Sequence, residues 1–154
     1  MAGRTFVKFH LNVGIGDVIV GPVDVVGTRD WLGFAGIATA RVRMIQSEQQ
    51  FAEKIQAYTL PRGSAANSRV RDLVDLALLV QSGTMDPSRV AEALRRTFER
   101  RGTHDLPREP TAPPGTWAVP FANLAEECSL KLDVATSFGV VAQYYQSAAL
   151  GRSG

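Results

Sequence analysis

Three side chains near the middle of the chain have the types and the spacing of an active site. Lys54 lies on one helix-like segment, and Asp72 and Asp75 lie on the next, with a short polar loop between the two. An ammonium group can neutralise charge on a transferring phosphate, and a carboxylate near a helix start can hold a base, a hydroxyl or the lysine itself. The pattern is compatible with phosphate chemistry. From spacing alone, however, a solvated helix lysine is the stronger interpretation of Lys54, and Asp72 is also explained as a first-turn acid favoured by the helix dipole.

The segments around these side chains have the pattern of consecutive helices. Ser47 and Gln50 have the spacing of a capping box, so we expect a first helix from Ser47 to about Tyr58, stopped by Pro61. A second helix is expected from residue 67 or 68 to Gly83, which has the residue type favoured just past a helix end.

The two acids on the second helix are one turn apart and therefore share a face. Arg71 precedes Asp75 by four residues, a separation at which opposite charges pair, so we expect Asp75 to be the structural partner of Arg71. If Lys54 and Asp72 form part of an active site, both should converge on one cleft. That cleft should lie beside the polar strand face that holds Asn12.

The N-terminal part of the chain has the alternation of β-strands. Residues 5–13 alternate between an apolar side and a mostly polar side, and glycines punctuate a turn at 14–16. A second strand is expected around 18–22, ending near a proline, and a third at 42–44 after a loop at 27–36.

The C-terminal part of the chain is predicted to be helical. Asp86-Pro87 is an N-cap followed by proline at the first helical position, so a third helix is expected from there to Gly102. Prolines between 107 and 120 indicate a loop. Two more helices follow, one around 121–125 and one capped by Asp133.

These elements predict an α+β fold in which a small sheet of short strands precedes a helical subdomain. We place the strand-rich part at 1–46 and the helical part at 47–154, packed as one domain. At 154 residues and 45% hydrophobic content, a single domain of this size buries about two thirds of its unfolded surface.

The predicted third helix has an arginine-rich side. Arg89, Arg96 and Arg100 fall on one face, and such a face binds nucleic acid by displacing counterions from phosphates. Positive charge also gathers in the middle of the chain, where residues 41–108 hold 12 lysines and arginines against 8 acids. From the sequence alone a solvated charged face is the stronger interpretation, because no aromatic residues interleave with these arginines.

The composition favours a cytoplasmic protein. Cys128 is the only cysteine, which excludes an internal disulfide and suits a reducing compartment. The first residues lack the apolar run of a signal peptide, and no window approaches the ~18 apolar residues of a membrane span. We therefore expect no membrane partner.

Three phrases carry a resemblance to a known family: FHLNVGIGDV at 9–18, QFAEK at 50–54 and SRVRDLVDL at 68–76. They resemble the AbiEii/AbiGii-type nucleotidyltransferase toxins of bacterial toxin–antitoxin systems. The resemblance covers nearly the whole chain and corresponds to the C-terminal half of the family's enzyme.

The resemblance implies transfer of a nucleotide from a nucleoside triphosphate to an acceptor with Mg²⁺. Family members characterised as toxins modify tRNA ends, so it also implies growth inhibition held in check by a cognate antitoxin. By family match Lys54 contacts phosphate and Asp72 belongs to the catalytic centre. The substrate or RNA contacts that we assign are Arg69, Arg71, Arg89, Arg96 and Arg100.

The chain departs from the family pattern at the metal-binding acids. Such enzymes open with a Gly-Ser turn followed by two acids one residue apart, whereas Gly63-Ser64 has no acid nearby. A third family acid is replaced by Asn12, whose amide lacks the charge that offsets the dehydration of Mg²⁺. We predict no metal ligands in this chain and little or no activity alone, with the missing half or a partner chain required.

Two other classes of function stay open. The chain is also compatible with a non-catalytic fragment that binds an antitoxin or a full-length toxin, and with a helical RNA-binding module that uses the arginine face.

Overall fold

The computed structural model describes residues 21–63 and 68–150. Within them a β-hairpin precedes a bundle of helices, so the predicted α+β class is confirmed. The hairpin consists of β1 (Val23–Gly27) and β2 (Arg41–Ile45). The helices are α1 (Ser47–Thr59), α2 (Val70–Ser82), α3 (Pro87–Arg101), α4 (Ala118–Glu127) and α5 (Val134–Leu150), with 3₁₀ turns at Gly33–Ala35 and Gly115–Trp117.

The hairpin is antiparallel, with Val23 opposite Ile45 and Gly27 opposite Arg41. The strand predicted at 42–44 is confirmed as β2. Of the strand predicted around 18–22, the structure describes residues 21 and 22, and both precede β1, so this part of the prediction is misplaced. The loop expected from residue 27 begins after β1 ends at Gly27. The strand predicted at 5–13, with Asn12 and His10, lies outside the described residues.

Helix α1 begins at the predicted residue, Ser47, but the contact at its N-terminus differs from the predicted capping box. Gln46 takes the N-cap position with extended backbone and no side-chain cap bond, so the predicted Ser47 capping box is wrong. Gln50 instead donates through Nε2 to the Ile45 carbonyl at 2.8 Å. This bond ties the first turn of α1 to the end of β2.

The ends of α2 and α3 follow their local sequence signals. Gly83 and Gly102 both adopt the left-handed conformation just past the helices, at φ 63° and 53°, where glycine carries no Cβ penalty. Asp86 accepts the Ser88 and Arg89 backbone N–H groups at 2.8 and 3.1 Å, as expected of an N-cap. Helix α2 begins at Val70, two to three residues later than predicted.

Helix α4 corrects the predicted proline-rich loop, because Pro120 lies within its first turn. Proline is tolerated there, since the first N–H groups of a helix have no intrahelical partner. The cap predicted for the last helix is confirmed, as Asp133 Oδ1 accepts the Thr136 N–H at 2.7 Å.

The described hydrophobic core is built by the helices and the segments that join them. Helix α1 packs against α2 and α3, and α5 packs against α2 and α3. The fully buried large side chains include Phe51, Ile55, Leu73, Leu76, Val90, Leu94, Phe121, Val141 and Tyr145. No residue of the hairpin belongs to this core. The helical bundle therefore positions the candidate site, and the hairpin projects from it.

Candidate functional site

Helices α1 and α2 carry the candidate site on the flank of their shared contact. On α1, Phe51 and Ile55 point into the core, which leaves Lys54 at the edge. On α2, Leu73 and Leu76 are fully buried in the same core. The apolar positions thus fix the rotation of both helices, and the charged side chains between them meet at one edge.

Lys54 lies between the two carboxylates of α2. Its Nζ is 2.6 Å from Asp75 Oδ2 and 3.3 Å from Asp72 Oδ1. The other oxygen of Asp72 lies 3.4 Å from Arg69 Nη1. We call Lys54, Asp72, Asp75 and Arg69 the α1–α2 charge cluster. Its formal charges, two positive and two negative, cancel.

The α1–α2 charge cluster is partly shielded from water. The side chain of Asp72 is 14% exposed, against 29% for Lys54 and 34% for Asp75. Burial acts to lower the pKa of Lys54, but the hydrogen bond and charge of Asp75, together with those of Asp72, outweigh it and raise that pKa above its usual value. The ammonium is therefore fully charged at neutral pH.

The structure corrects the expected partner of Asp75. Arg71 was predicted to pair with it along α2, but Arg71 is exposed and forms no ion pair with any described residue. Lys54 reaches Asp75 from the neighbouring helix instead. Asp75 therefore pairs with Lys54 of α1 and not with Arg71 of its own helix, so it belongs to the candidate site.

Two of the five arginines proposed as substrate contacts flank this region. Arg69 is in the cluster, and Arg71 is one residue before Asp72 on the exposed side of α2. The loop that joins the two helices is described only to Gly63. The predicted cleft beside the polar strand face of Asn12 stays a prediction, because that strand lies outside the described residues.

The other three proposed contacts lie on α3, where acids neutralise most of the arginine-rich face. Arg89 donates to Gln46 Oε1 at 2.6 Å and lies 3.9 Å from Glu48, and Arg96 is 3.0 Å from Glu92. Further along the helix, Arg95 and Arg101 pair with acids, and Arg100 also has an interaction partner. The number of arginines on this face of α3 therefore overestimates the positive charge that is available to bind phosphate.

The described residues do not fit a resident metal ion. No group of three or more His, Cys, Asp or Glu side chains with metal-binding geometry occurs within 21–63 and 68–150. Asp72 and Asp75, which lie one turn apart on α2, already bind the Lys54 ammonium. A divalent cation there would have to displace a bound positive charge.

A second polar cluster was missed in the sequence because its members are far apart in the chain. The ring of His104 contacts Thr59 Oγ1 at 2.9 Å through Nε2 and Thr103 Oγ1 at 3.1 Å through Nδ1. Gln56 donates to the same Thr103 oxygen at 2.7 Å, and Phe98 packs edge-on against the histidine ring. These contacts join the end of α3 to α1 and are structural.

Among the described helices, none has both the length and the apolar character needed to cross a membrane.

Comparison with known proteins identifies the family. No curated protein matches the chain. Residues 1–132 match the family model described as "Nucleotidyl transferase AbiEii toxin, Type IV TA system", which spans most of the 154 residues. The chain therefore belongs to the AbiEii family of nucleotidyltransferase toxins from type IV toxin–antitoxin systems.

Proposed function

We propose that this protein takes part in transferring a nucleotide from a nucleoside triphosphate to tRNA in the cytoplasm, as a toxin restrained by a cognate antitoxin. The observation that carries the proposal is the α1–α2 charge cluster, in which Lys54 lies between Asp72 and Asp75. The family match supports the reaction class. The tRNA acceptor is our inference from the resemblance of the three sequence phrases.

Lys54 is the residue that we assign to the phosphates. An ammonium group has three N–H donors, and two of them are directed at Asp75 and Asp72. The third is available to a phosphate oxygen. Because both carboxylates hold the side chain, its charge is positioned before the substrate arrives, which lowers the cost of ordering it.

Asp72 is the residue that we assign to the catalytic centre. Its two oxygens face Lys54 and Arg69, so an acceptor hydroxyl would compete with these cations for the carboxylate, although each oxygen has a second lone pair. Arg69 has the more exposed side chain of the two, at 43%. We infer that Arg69 moves towards substrate phosphate and frees one oxygen of Asp72 for the acceptor.

We further propose that the chain does not transfer nucleotides alone. Family chemistry uses a divalent cation, which we expect to be Mg²⁺, and hard cations need several oxygen ligands. The 154-residue sequence has no two acids separated by one residue, and Asn12 stands where the family has a further acid. The metal-binding acids must come from another segment or from a partner chain.

Radiolabel transfer tests both parts of this proposal. The purified chain is incubated with labelled nucleoside triphosphates, Mg²⁺ and total tRNA, with and without a polypeptide that carries a Gly-Ser turn and paired acids. We expect label on tRNA only when that polypeptide is present, and loss of the label in Lys54→Ala. Lys131→Ala is the matched control, because Lys131 is an exposed lysine outside the helices.

Two results would contradict the proposal. Transfer by the unmodified chain alone that disappears in Lys54→Ala would show an independently active enzyme. Transfer in the complemented reaction that is equal in Lys54→Ala and Lys131→Ala would remove the α1–α2 charge cluster from the reaction.

A non-catalytic role is the second candidate, supported by the absence of a metal-binding cluster among the described residues. In that case the chain binds an antitoxin or RNA without reacting. Binding of tRNA with no transfer under any complementation would favour this alternative.

A further inference from the structure

The tip of the β1–β2 hairpin exposes large apolar side chains to an unusual degree. Phe34 is 90% exposed and Trp31 is 72% exposed, and both lie in the connection between the strands. Leu32 and Ile37 in the same connection are also about half exposed. Single exposed apolar residues are ordinary, but several large ones within one connection are typical of a binding surface.

The tip is an ordered turn with defined backbone contacts. Asp30 Oδ1 accepts the Gly33 N–H at 2.6 Å, at the first residue of the 3₁₀ turn Gly33–Ala35, whose N-cap residue is Leu32. A Cβ at Gly33 would meet the carboxylate end of the flexible Asp30 side chain, which can move, so this close approach favours glycine without requiring it. Gly36 then ends the turn with φ 71°. Trp31 and Phe34 are therefore held on a preorganised backbone.

Three arginines of the hairpin have no charged partner among the described residues. Arg29, Arg41 and Arg43 form no ion pair or side-chain hydrogen bond with any residue the structure describes. The register places Arg41 opposite Gly27 and Arg43 opposite Val25, so both point to one face of the hairpin. This surface differs from α3, whose arginines are held by acids.

The two acids of the hairpin offset part of this charge, because a hydrogen bond from a neutral N–H leaves a carboxylate negative; residues 23–45 carry three arginines against two acids, a net charge of +1. Asp30 binds the Gly33 N–H, and Asp24 Oδ1 accepts from Gln46 Nε2 at 3.4 Å. The hairpin thus combines three arginines that have no ion pair with any described residue and two exposed aromatic side chains. This combination suits a chain of phosphates with unpaired bases, where arginine contacts the backbone and the rings stack on the bases.

We propose that the tip, formed by Arg29, Trp31, Phe34, Arg41 and Arg43, binds unpaired nucleotides of single-stranded RNA. The proposal rests on the proposed function in one respect, since it names the part of a tRNA acceptor that the chain would hold. It replaces α3 as the expected RNA surface. Stacking of unpaired bases requires no particular base sequence.

Fluorescence anisotropy of a labelled 12-nucleotide single-stranded RNA tests this surface without requiring catalysis. In Trp31→Ala/Phe34→Ala we expect the Kd to rise by about 5- to 150-fold for each ring that stacks on a base. In Arg41→Ala/Arg43→Ala the slope of log K against log salt should decrease in magnitude by about 1.4, since each single-strand phosphate contact contributes about 0.7. Arg95→Ala/Arg101→Ala is the matched control, because acids pair with both arginines, and should bind like the wild type.

Tryptophan fluorescence gives an independent readout of stacking. Trp31 is exposed and Trp117 is 4% exposed, and the chain has two tryptophans, so RNA that stacks on the tip should quench the Trp31 emission. Trp31→Phe should retain binding and lose most of the quenching. A blunt RNA duplex should bind without quenching, because its bases are already stacked.

Several outcomes would overturn the proposal. These are failure of the wild-type chain to bind the single strand, equal binding by the Trp31→Ala/Phe34→Ala variant, and loss of binding only in the α3 variant. A lower melting temperature with unchanged RNA affinity would show that the tip packs against the chain itself. A dimer in analytical ultracentrifugation that Trp31→Ala dissociates would assign the tip to a second copy. RNA binding without nucleotide transfer would leave this proposal standing and remove only the proposed reaction.

Discussion

Replacing Lys54 by methionine should destabilise the protein because two acids lose their shared cation. Asp72 and Asp75 are one turn apart on α2, and Lys54 lies 3.3 and 2.6 Å from their oxygens. Its removal leaves two like charges, and among the described residues Arg69, at 3.4 Å from Asp72, is the cation that still pairs with one of them.

The size of the expected loss of stability depends on the partial exposure of Lys54, Asp72 and Asp75. Exposed ion pairs contribute about 0.2 to 1 kcal/mol, and breaking a fully buried pair costs about 3 to 5 kcal/mol. With side chains between 14% and 34% exposed, Lys54→Met should lower the free energy of unfolding by about 1 to 2 kcal/mol. The melting temperature should fall by about 3 to 8 °C.

A double variant separates charge from packing. In Lys54→Met/Asp75→Asn the remaining Asp72 still has Arg69, so no carboxylate is left without a counter-charge. We expect its free energy of unfolding to return to within about 0.5 kcal/mol of the wild type. Urea unfolding followed by circular dichroism at pH 7 measures all four corners of the cycle, and Lys131→Met should stay within about 0.5 kcal/mol of the wild type.

The reasoning is refuted if the double variant is as unstable as Lys54→Met alone, because the loss would then come from the lysine stem and not from its charge. Full recovery would have a further meaning. A charged pair that a neutral pair can replace without loss of stability contributes little to the fold, which would support a functional role for the α1–α2 charge cluster.

Two further predictions concern stability. Burial raises the pKa of Tyr58 and of Tyr145 to about 12, above the ordinary tyrosine value of about 10. Their contribution to stability is complete below pH 10 and is lost as the pH rises from 10 to 12, so the free energy of unfolding in urea should fall over this range and should fall less steeply in Tyr58→Phe, whereas an unchanged slope would contradict the assignment. Asp86→Ala removes the acceptor for the Ser88 and Arg89 N–H groups and should lower the free energy of unfolding measurably. Asp105→Ala, at an exposed position outside the helices, should change it little, and equal effects of the two substitutions would show that the cap contributes nothing.

Helix ends were predictable from the sequence where the signal is local. Gly83, Gly102 and Asp86 act through one or two neighbouring backbone groups, so their residue types determine the outcome. The Ser47 capping box failed because Gln46 takes the N-cap position and Gln50 binds the Ile45 carbonyl of the preceding strand. Spacing alone does not reveal where the chain enters the helix.

The candidate site was only partly predictable for a related reason. Helical periodicity placed Asp72 and Asp75 on one face, and the structure brings Lys54 to both. The choice between Arg71 and Lys54 as the partner of Asp75 depended on how α1 packs against α2, which the local sequence does not specify. The shorter-range pairing was predicted, and the pairing across helices is the one that forms.

Charge counts from the sequence likewise do not distinguish paired arginines from unpaired ones. Helix α3 has more arginines than the hairpin, yet Glu92 and Glu99 hold Arg95 at 2.8 and 2.9 Å. The hairpin arginines have no such partners among the described residues, and its aromatic side chains are exposed beside them.

The distribution of buried residues also supports the assignment of the hairpin tip to binding. The described core is complete without the hairpin, since the buried apolar residues come from the helices and the segments between them. Exposed rings gain nothing from the hydrophobic effect until a partner covers them. In the described part of the chain, Trp31 and Phe34 are therefore better explained by binding than by folding. Helices α1 and α2 would then hold the phosphate chemistry at the α1–α2 charge cluster, while the tip attached through β2 to the start of α1 would hold the RNA.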